Sequence, residues 1–295
     1  MNIKVFSTDE RGAHYERKVF KNSESGWGII TVRITDEVVH TKFGGFGVSV
    51  TGSSCYVLHQ MSDEERSRFL EQIYGKDGLG LTVARVSIGS SDYSPELYCL
   101  EDKNGNFSLE RDREYVLPVL KEIAEKYPQV KFFASPWSPP PRMKTGGYLM
   151  GGFIRERFLD EYADYILKFI DAYEKEGIKI SAVTPQNEPE SDQSGKSPTC
   201  LWSPETEANF AVILKKKALA AGKNFEIWLL DHNFSMYERV IWQYENFPQL
   251  LQSANAAAFH YYVGGADCVE KIREKFPSVK FHFTEGGPRL NYNYS

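Results

Sequence analysis

Seven short runs rich in β-branched or aromatic residues alternate with longer amphipathic patterns, which predicts an α/β fold on a parallel sheet. The runs fall near residues 43–49, 81–88, 130–135, 179–185, 225–231, 255–260 and 279–284. Seven β/α repeats in one chain point to a TIM-type (β/α)8 barrel lacking its last β/α unit, since a doubly wound sheet would carry a Gly-rich dinucleotide turn after its first strand. Gly44-Gly45-Phe46-Gly47 has neither the GxGxxG spacing nor a following P-loop lysine, and reads as close backbone packing at the first barrel strand.

Ahead of the barrel, Ile30, Val32 and Ile34 alternate with polar residues after Trp27-Gly28, which predicts a separate β-hairpin. The first barrel helix is expected from Ser62 to Tyr74, opened by a Ser62/Glu65 capping box and closed by Gly75. From Phe153 to Glu176, residues Phe158, Tyr162, Tyr165, Ile166, Phe169, Ile170 and Tyr173 share one helical stripe that Gly177 stops, so these rings are core. Ser203-Pro204 gives an N-cap followed by proline at the first helical position. The domain limits that follow are 1–40 for the appended strands and 41–295 for the barrel.

A chain of 295 residues that is 41% hydrophobic can bury a large core. Its 40 acidic residues outnumber 35 Lys and Arg, and no basic stripe follows a predicted face, which argues against a nucleic-acid partner. Cys55, Cys99, Cys200 and Cys268 are too scattered for a disulfide scaffold. The histidines form no HExxH and no His/Cys cluster at ligand spacing, so neither metal nor cofactor is expected. Met-Asn-Ile-Lys-Val-Phe at the start lacks the apolar stretch of a secretory signal, and no run is long enough for a membrane span. The chain is therefore expected to be soluble, with cytoplasmic and secreted locations both open and its oligomeric state unread.

In such a barrel the informative positions are the strand ends. Two carboxylates stand there: Glu188 after the fourth run, in Thr184-Pro185-Gln186-Asn187-Glu188-Pro189, and Glu285 after the seventh, in Thr284-Glu285-Gly286-Gly287. Side chains from opposite walls can meet at the separation of about 5 to 5.5 Å that retaining glycoside hydrolysis needs, one carboxyl attacking the anomeric carbon and the other protonating the leaving oxygen. A general acid beside an ionised Glu285 is expected to have a raised pKa. Asp231-His232-Asn233 ends the fifth run, but no GxSxG elbow accompanies it, so it reads as hydrogen-bonded support for the barrel mouth.

Asn187-Glu188-Pro189 and Thr284-Glu285-Gly286 resemble the acid/base and nucleophile motifs of the clan A barrel glycosidases. Ala134-Ser135-Pro136-Trp137-Ser138-Pro139-Pro140 with Met143-Lys144-Thr145, Arg85 to Ser94, and Gly45-Phe46-Gly47 are similar to segments of glycoside hydrolase family 30, the glucosylceramidase type, over roughly residues 25 to 290. The resemblance implies a retaining β-glycosidase acting on a β-linked glycoside or oligosaccharide without a cofactor. Glu188 would be its acid/base and Glu285 its nucleophile. It further implies that Asn187 binds the sugar 2-hydroxyl, that Asp92 and Trp137 hold the sugar at the point of cleavage, and that Arg85 lies beneath Glu285. In His260-Tyr261-Tyr262 it implies a substrate-binding segment whose Tyr262 hydrogen-bonds the nucleophile, with Tyr261 where tryptophan is usual. Members continue well past the nucleophile with the eighth unit and most of a β-sandwich, to which the N-terminal strands would belong. A truncated, less stable chain is thus expected, and the alternative to an active enzyme is an inactive or carbohydrate-binding fragment.

Overall fold

The computed structural model describes residues 5–9, 12–17, 43–192 and 195–287. The chain divides into two compact units, Met1–Gly44 and Gly45–Ser295. In the first, β1 (Val5–Asp9) pairs antiparallel with β2 (Gly12–Arg17), Phe6 opposite Glu16. The hairpin expected around Ile30, Val32 and Ile34 lies outside the described residues.

The second unit alternates strand and helix. Its strands are β3 (Gly47–Ser49), β4 (Val83–Ile88), β5 (Lys131–Pro136), β6 (Ile180–Val183), β7 (Glu226–Ile227), β8 (Leu229–Asn233), β9 (Ala256–His260) and β10 (Lys280–Glu285). They run parallel as one ladder in the order β3-β4-β5-β6-β7 and another in the order β8-β9-β10. The fifth expected run is thus two short strands broken at Trp228, whose N–H still donates to Val183 at 2.9 Å. At β3 the approach to β4 is so close that a Cβ on Gly47 would strike the Val83 carbonyl, which explains the glycine.

Eight helices are described: α1 (Gly52–Gln60), α2 (Asp63–Tyr74), α3 (Glu110–Lys126), α4 (Leu159–Lys175), α5 (Pro204–Ala220), α6 (Tyr237–Asn246), α7 (Leu250–Ser253) and α8 (Cys268–Lys275). The Ser62/Glu65 capping box opens α2, and Ser203 caps α5 with Pro204 at its first position. The helix expected from Phe153 begins six residues late, because Phe153 bridges Leu201 and Glu156–Phe158 forms a 3-10 turn. The stripe from Tyr162 to Tyr173 is buried as expected. No helix among the described residues is long and apolar enough to cross a membrane.

The strand period of two sorts the barrel interior into layers. Val83, Phe133, Ala182, Trp228, Ala256 and Ala258 pack in an apolar inner layer, while Ala84, Phe132, Ala134, Val183, Ala257 and Phe259 face the helices. Within this lower interior His282 stacks on Trp228, centroids 3.7 Å apart, and burial pushes its imidazole down to about 4, so it serves as a neutral ring. Two residues further along the strands the inward chemistry turns polar: Arg85 after Val83, Ser135 after Phe133, Thr184 after Ala182, His260 after Ala258 and Thr284 after His282.

The bend after Trp228 is braced from α5. The fully buried Glu207 accepts from the Leu230 amide at 2.7 Å, from Arg239 at 2.9 and 3.0 Å, and from Gln243 at 2.9 Å. Glu207→Ala should therefore strand a buried guanidinium and an amide. Breaking a buried pair typically costs 3–5 kcal/mol, and about 3 kcal/mol is expected here because Glu190 still accepts from Arg239. Urea unfolding checks it, and a loss below about 1 kcal/mol would show that the brace carries no stability.

Candidate functional site

The polar layer at the strand ends is organised by Asp231, which is wholly buried. Its Oδ2 accepts from Arg85 and from Thr184, each at 2.8 Å, and its Oδ1 accepts from Thr284 at 2.7 Å and meets His260 Nε2 at 3.0 Å. Arg85, also buried, donates onward to Asn187 Oδ1 at 2.8 Å and forms an ion pair with Glu285. His260 turns its other nitrogen, Nδ1, to Glu188 Oε1 at 3.0 Å, with Glu285 Oε1 at 3.9 Å from the same atom. Tyr262 donates to that Glu285 oxygen at 3.1 Å. Both carboxylates thus approach one nitrogen.

Local backbone distortion produces this convergence. Glu188, Leu230 and Asp231 are the non-glycine residues with positive φ among the described residues, at 45°, 74° and 47°. Such conformations cost of order 1–3 kcal/mol each and persist where surroundings over-determine them. Here the Glu188 amide donates to the Asp231 carbonyl at 3.0 Å and Glu207 holds the Leu230 amide, so the two bends clasp each other. Asp231 and Thr284 are the extra residues where the β8/β9 and β10/β9 registers shift; the first bulge lets Asp231 face inward, and the second brings Glu285 level with His260.

Charge alternates through the cluster. Burial would lower the Arg85 guanidinium, yet Asp231 and Glu285 hold it above its ordinary value; burial would raise Asp231, yet Arg85 and His260 hold it far below. Burial likewise opposes ionisation of His260, but Asp231 and Glu188 outweigh it and lift the imidazole to about 9. For Glu188 burial raises the carboxyl while His232 and His260 outweigh that and bring it down to about 2. The raised Glu188 expected from the sequence is therefore corrected: in the free protein the proton sits on His260, because two imidazoles face the carboxylate on its buried side.

The remaining expected residues gather around this core with differing exposure. Trp137 is buried, with the Arg85 guanidinium over its ring at 4.7 Å. Asn187 is buried and fixed by its Arg85 contact and by its amide, which donates to Pro136 at 2.8 Å. Asp92 is exposed at the rim, its carboxyl pushed up by the surrounding protein and then by the charge of Glu285. Tyr261 is half exposed, stacks on Tyr262 and donates to the Gly287 carbonyl at 3.0 Å; a Cβ at Gly286 would collide with its ring. The fully buried Lys144 donates to Ser138 Oγ and to the Leu149 and Thr199 carbonyls, tying together the loops beside Trp137. Sequence reasoning gave Asp231 and His232 only a general supporting part. His232 Nδ1, buried and without a hydrogen-bond partner, lies 3.5 Å from Glu188 Oε1. Nothing local in the sequence marks it, since Glu188, His232 and His260 come from three separate strand ends.

Comparison with known proteins agrees with this architecture. The Glycosyl hydrolase family 30 TIM-barrel domain matches residues 43–286. A putative glucosylceramidase 4 of Caenorhabditis elegans is 28% identical over 97% of this chain and 60% of its own length. An endo-β1,6-glucanase of solved structure superposes with a TM-score of 0.78 at 34% identity, covering 83% of this chain and 58% of that one. SrfJ from Salmonella typhimurium superposes with a TM-score of 0.80 at 29% identity, covering 85% and 58%. The chain thus spans somewhat over half the length of these relatives.

The His260–Glu188 pair makes stability depend on pH in a defined direction. His260, raised to about 9 from 6.5, contributes fully below 6.5 and loses its contribution as pH climbs through 9. Glu188, lowered to about 2 from 4.5, contributes fully above 4.5 and loses it as pH falls through 2. Urea midpoints should therefore decline from about pH 6.5 to pH 9, and His260→Asn should flatten that decline. A wild-type midpoint that rises across the same range would contradict the pairing.

Proposed function

The chain belongs to glycosyl hydrolase family 30, and from that premise we propose that it hydrolyses β-glycosidic bonds with retention, Glu285 acting as nucleophile and Glu188 as acid/base. The observation that carries this reading is the approach of both carboxylates to His260 Nδ1, at 3.0 and 3.9 Å. The gap between those oxygens cannot exceed the two distances together. That upper bound of about 6.9 Å takes in the retaining separation of about 5 to 5.5 Å and overlaps the inverting range of about 6.5–9.5 Å only at its lowest end.

In the first step Glu285 bonds to the anomeric carbon as the glycosidic bond breaks and Glu188 protonates the departing oxygen. In the second, Glu188 takes a proton from water, whose oxygen displaces Glu285 from the same carbon. Arg85 and Tyr262 hold Glu285 in attacking orientation. The proton used in the first step rests on His260 and reaches Glu188 across their 3.0 Å hydrogen bond. Asn187, Asp92, Trp137 and Tyr261 bind the sugar around this pair. The relatives named above suggest the substrate: a glucosylceramide and a β1,6-glucan both carry a glucosyl group on a primary alcohol oxygen. A β-glucoside of a primary alcohol is accordingly the substrate class favoured here.

Two measurements test the roles. Glu285→Ala should abolish turnover of aryl β-glucosides and recover with azide and an activated donor, giving a glycosyl azide of inverted configuration; a retained azide product would exchange the two roles. Sugar binding with no turnover by the wild-type chain would favour a carbohydrate-binding fragment. In the active enzyme the basic limb of kcat/KM should lie near pH 9, set by the His260–Glu188 pair. His260→Asn should move that limb to lower pH, since Glu188 must then hold its own proton. A limb unmoved by this change would remove His260 from the proton path.

A further inference from the structure

We propose that Glu188, His232 and His260 form a binding site for a divalent transition-metal ion, zinc or copper, which occupies the acid's place and arrests turnover. One ligand atom from each of the three residues lies within 4.8 Å of the others. Glu188 Oε1 is 3.0 Å from His260 Nδ1 and 3.5 Å from His232 Nδ1. Tetrahedral zinc with bonds of about 2.0–2.1 Å spaces its ligands roughly 3.3 Å apart, so small side-chain shifts suffice.

Two features besides proximity point to an ion. His232 is 6% exposed, and its Nδ1 reaches no hydrogen-bond partner although it faces the carboxylate. A buried polar nitrogen left unmatched is costly, and coordination would match it. Behind His260, Asp231 accepts from Nε2 at 3.0 Å and is itself fixed by Arg85, Thr184 and Thr284. That is the carboxylate–histidine arrangement which orients an imidazole toward a metal and raises its basicity. Two imidazoles and one carboxylate suit zinc or copper and disfavour magnesium and calcium, which prefer all-oxygen sites. Glu188 is partly open to the barrel mouth, which leaves a coordination position for water. An ion on Glu188 Oε1 and His260 Nδ1 displaces the proton these atoms share.

Binding does not depend on the catalytic reading, whereas inhibition rests on Glu188 being the acid, so the two are measured separately. Calorimetric titration of the full chain with zinc chloride should show one ion bound, its dissociation constant weakened at least about tenfold in both His232→Asn and Glu188→Gln, and no response to magnesium. Circular dichroism of each variant establishes that it is folded. Zinc affinity unchanged in both folded variants would overturn the site. Zinc should also inhibit aryl β-glucoside hydrolysis at the concentration at which it binds. Binding at these residues without inhibition would uphold the site and overturn its place in the acid's position.

Discussion

The burial of Arg85 against Asp231 is the constraint on which the rest of the barrel mouth depends. Neither side chain retains appreciable contact with water. Removing two such charges from solvent costs several kcal/mol per ion and is offset only by good geometry and filled hydrogen-bonding capacity. Asp231 meets that requirement with four partners, two on each oxygen. Because those partners come from within β4 and from the ends of β6, β9 and β10, satisfying one carboxylate fixes four walls of the barrel relative to one another. Glu188 and Glu285 hang from this frame at one remove, through His260 and Arg85.

The frame also accounts for the backbone strain. Left-handed conformations at Leu230 and Asp231, without glycine, would relax in an isolated strand. They persist because Glu207 and Arg239 hold one side of the bend while the polar layer holds the other. The same bend makes the Asp231 carbonyl available to the Glu188 amide, which carries the strain across to the neighbouring strand end. Energy spent on conformation here is returned as position: both carboxyl groups point at one nitrogen before any ligand arrives.

Much of this was legible in the sequence and some was not. The seven runs, and with them the carboxylates that follow the fourth and the seventh, were legible because short β-branched or aromatic runs alternate with longer amphipathic ones whatever their partners in space. Arg85 and Tyr262 were named from resemblance and lie against Glu285. The break at Trp228 was not legible, because β8 is specified by Glu207, an α5 residue 23 positions from Leu230. The protonation of Glu188 departs from the sequence expectation for a related reason. Counting only its neighbour Glu285 predicts a raised pKa, whereas His232 and His260 approach from strands distant in sequence and reverse the sign.

His260 shows why the cage is more general than its proposed chemistry. An imidazole fixed at Nε2 by a buried carboxylate presents Nδ1 in one direction only, toward Glu188. Whatever fills the space between them must be a small electrophile, and a proton and a metal ion differ there chiefly in how many ligands they engage. A proton is satisfied by two atoms, which leaves His232 Nδ1 without a partner. A metal ion is satisfied by three or four, and the third is already in place. The unmatched nitrogen is therefore the feature that separates a site built solely to hold a proton from one that also admits a metal.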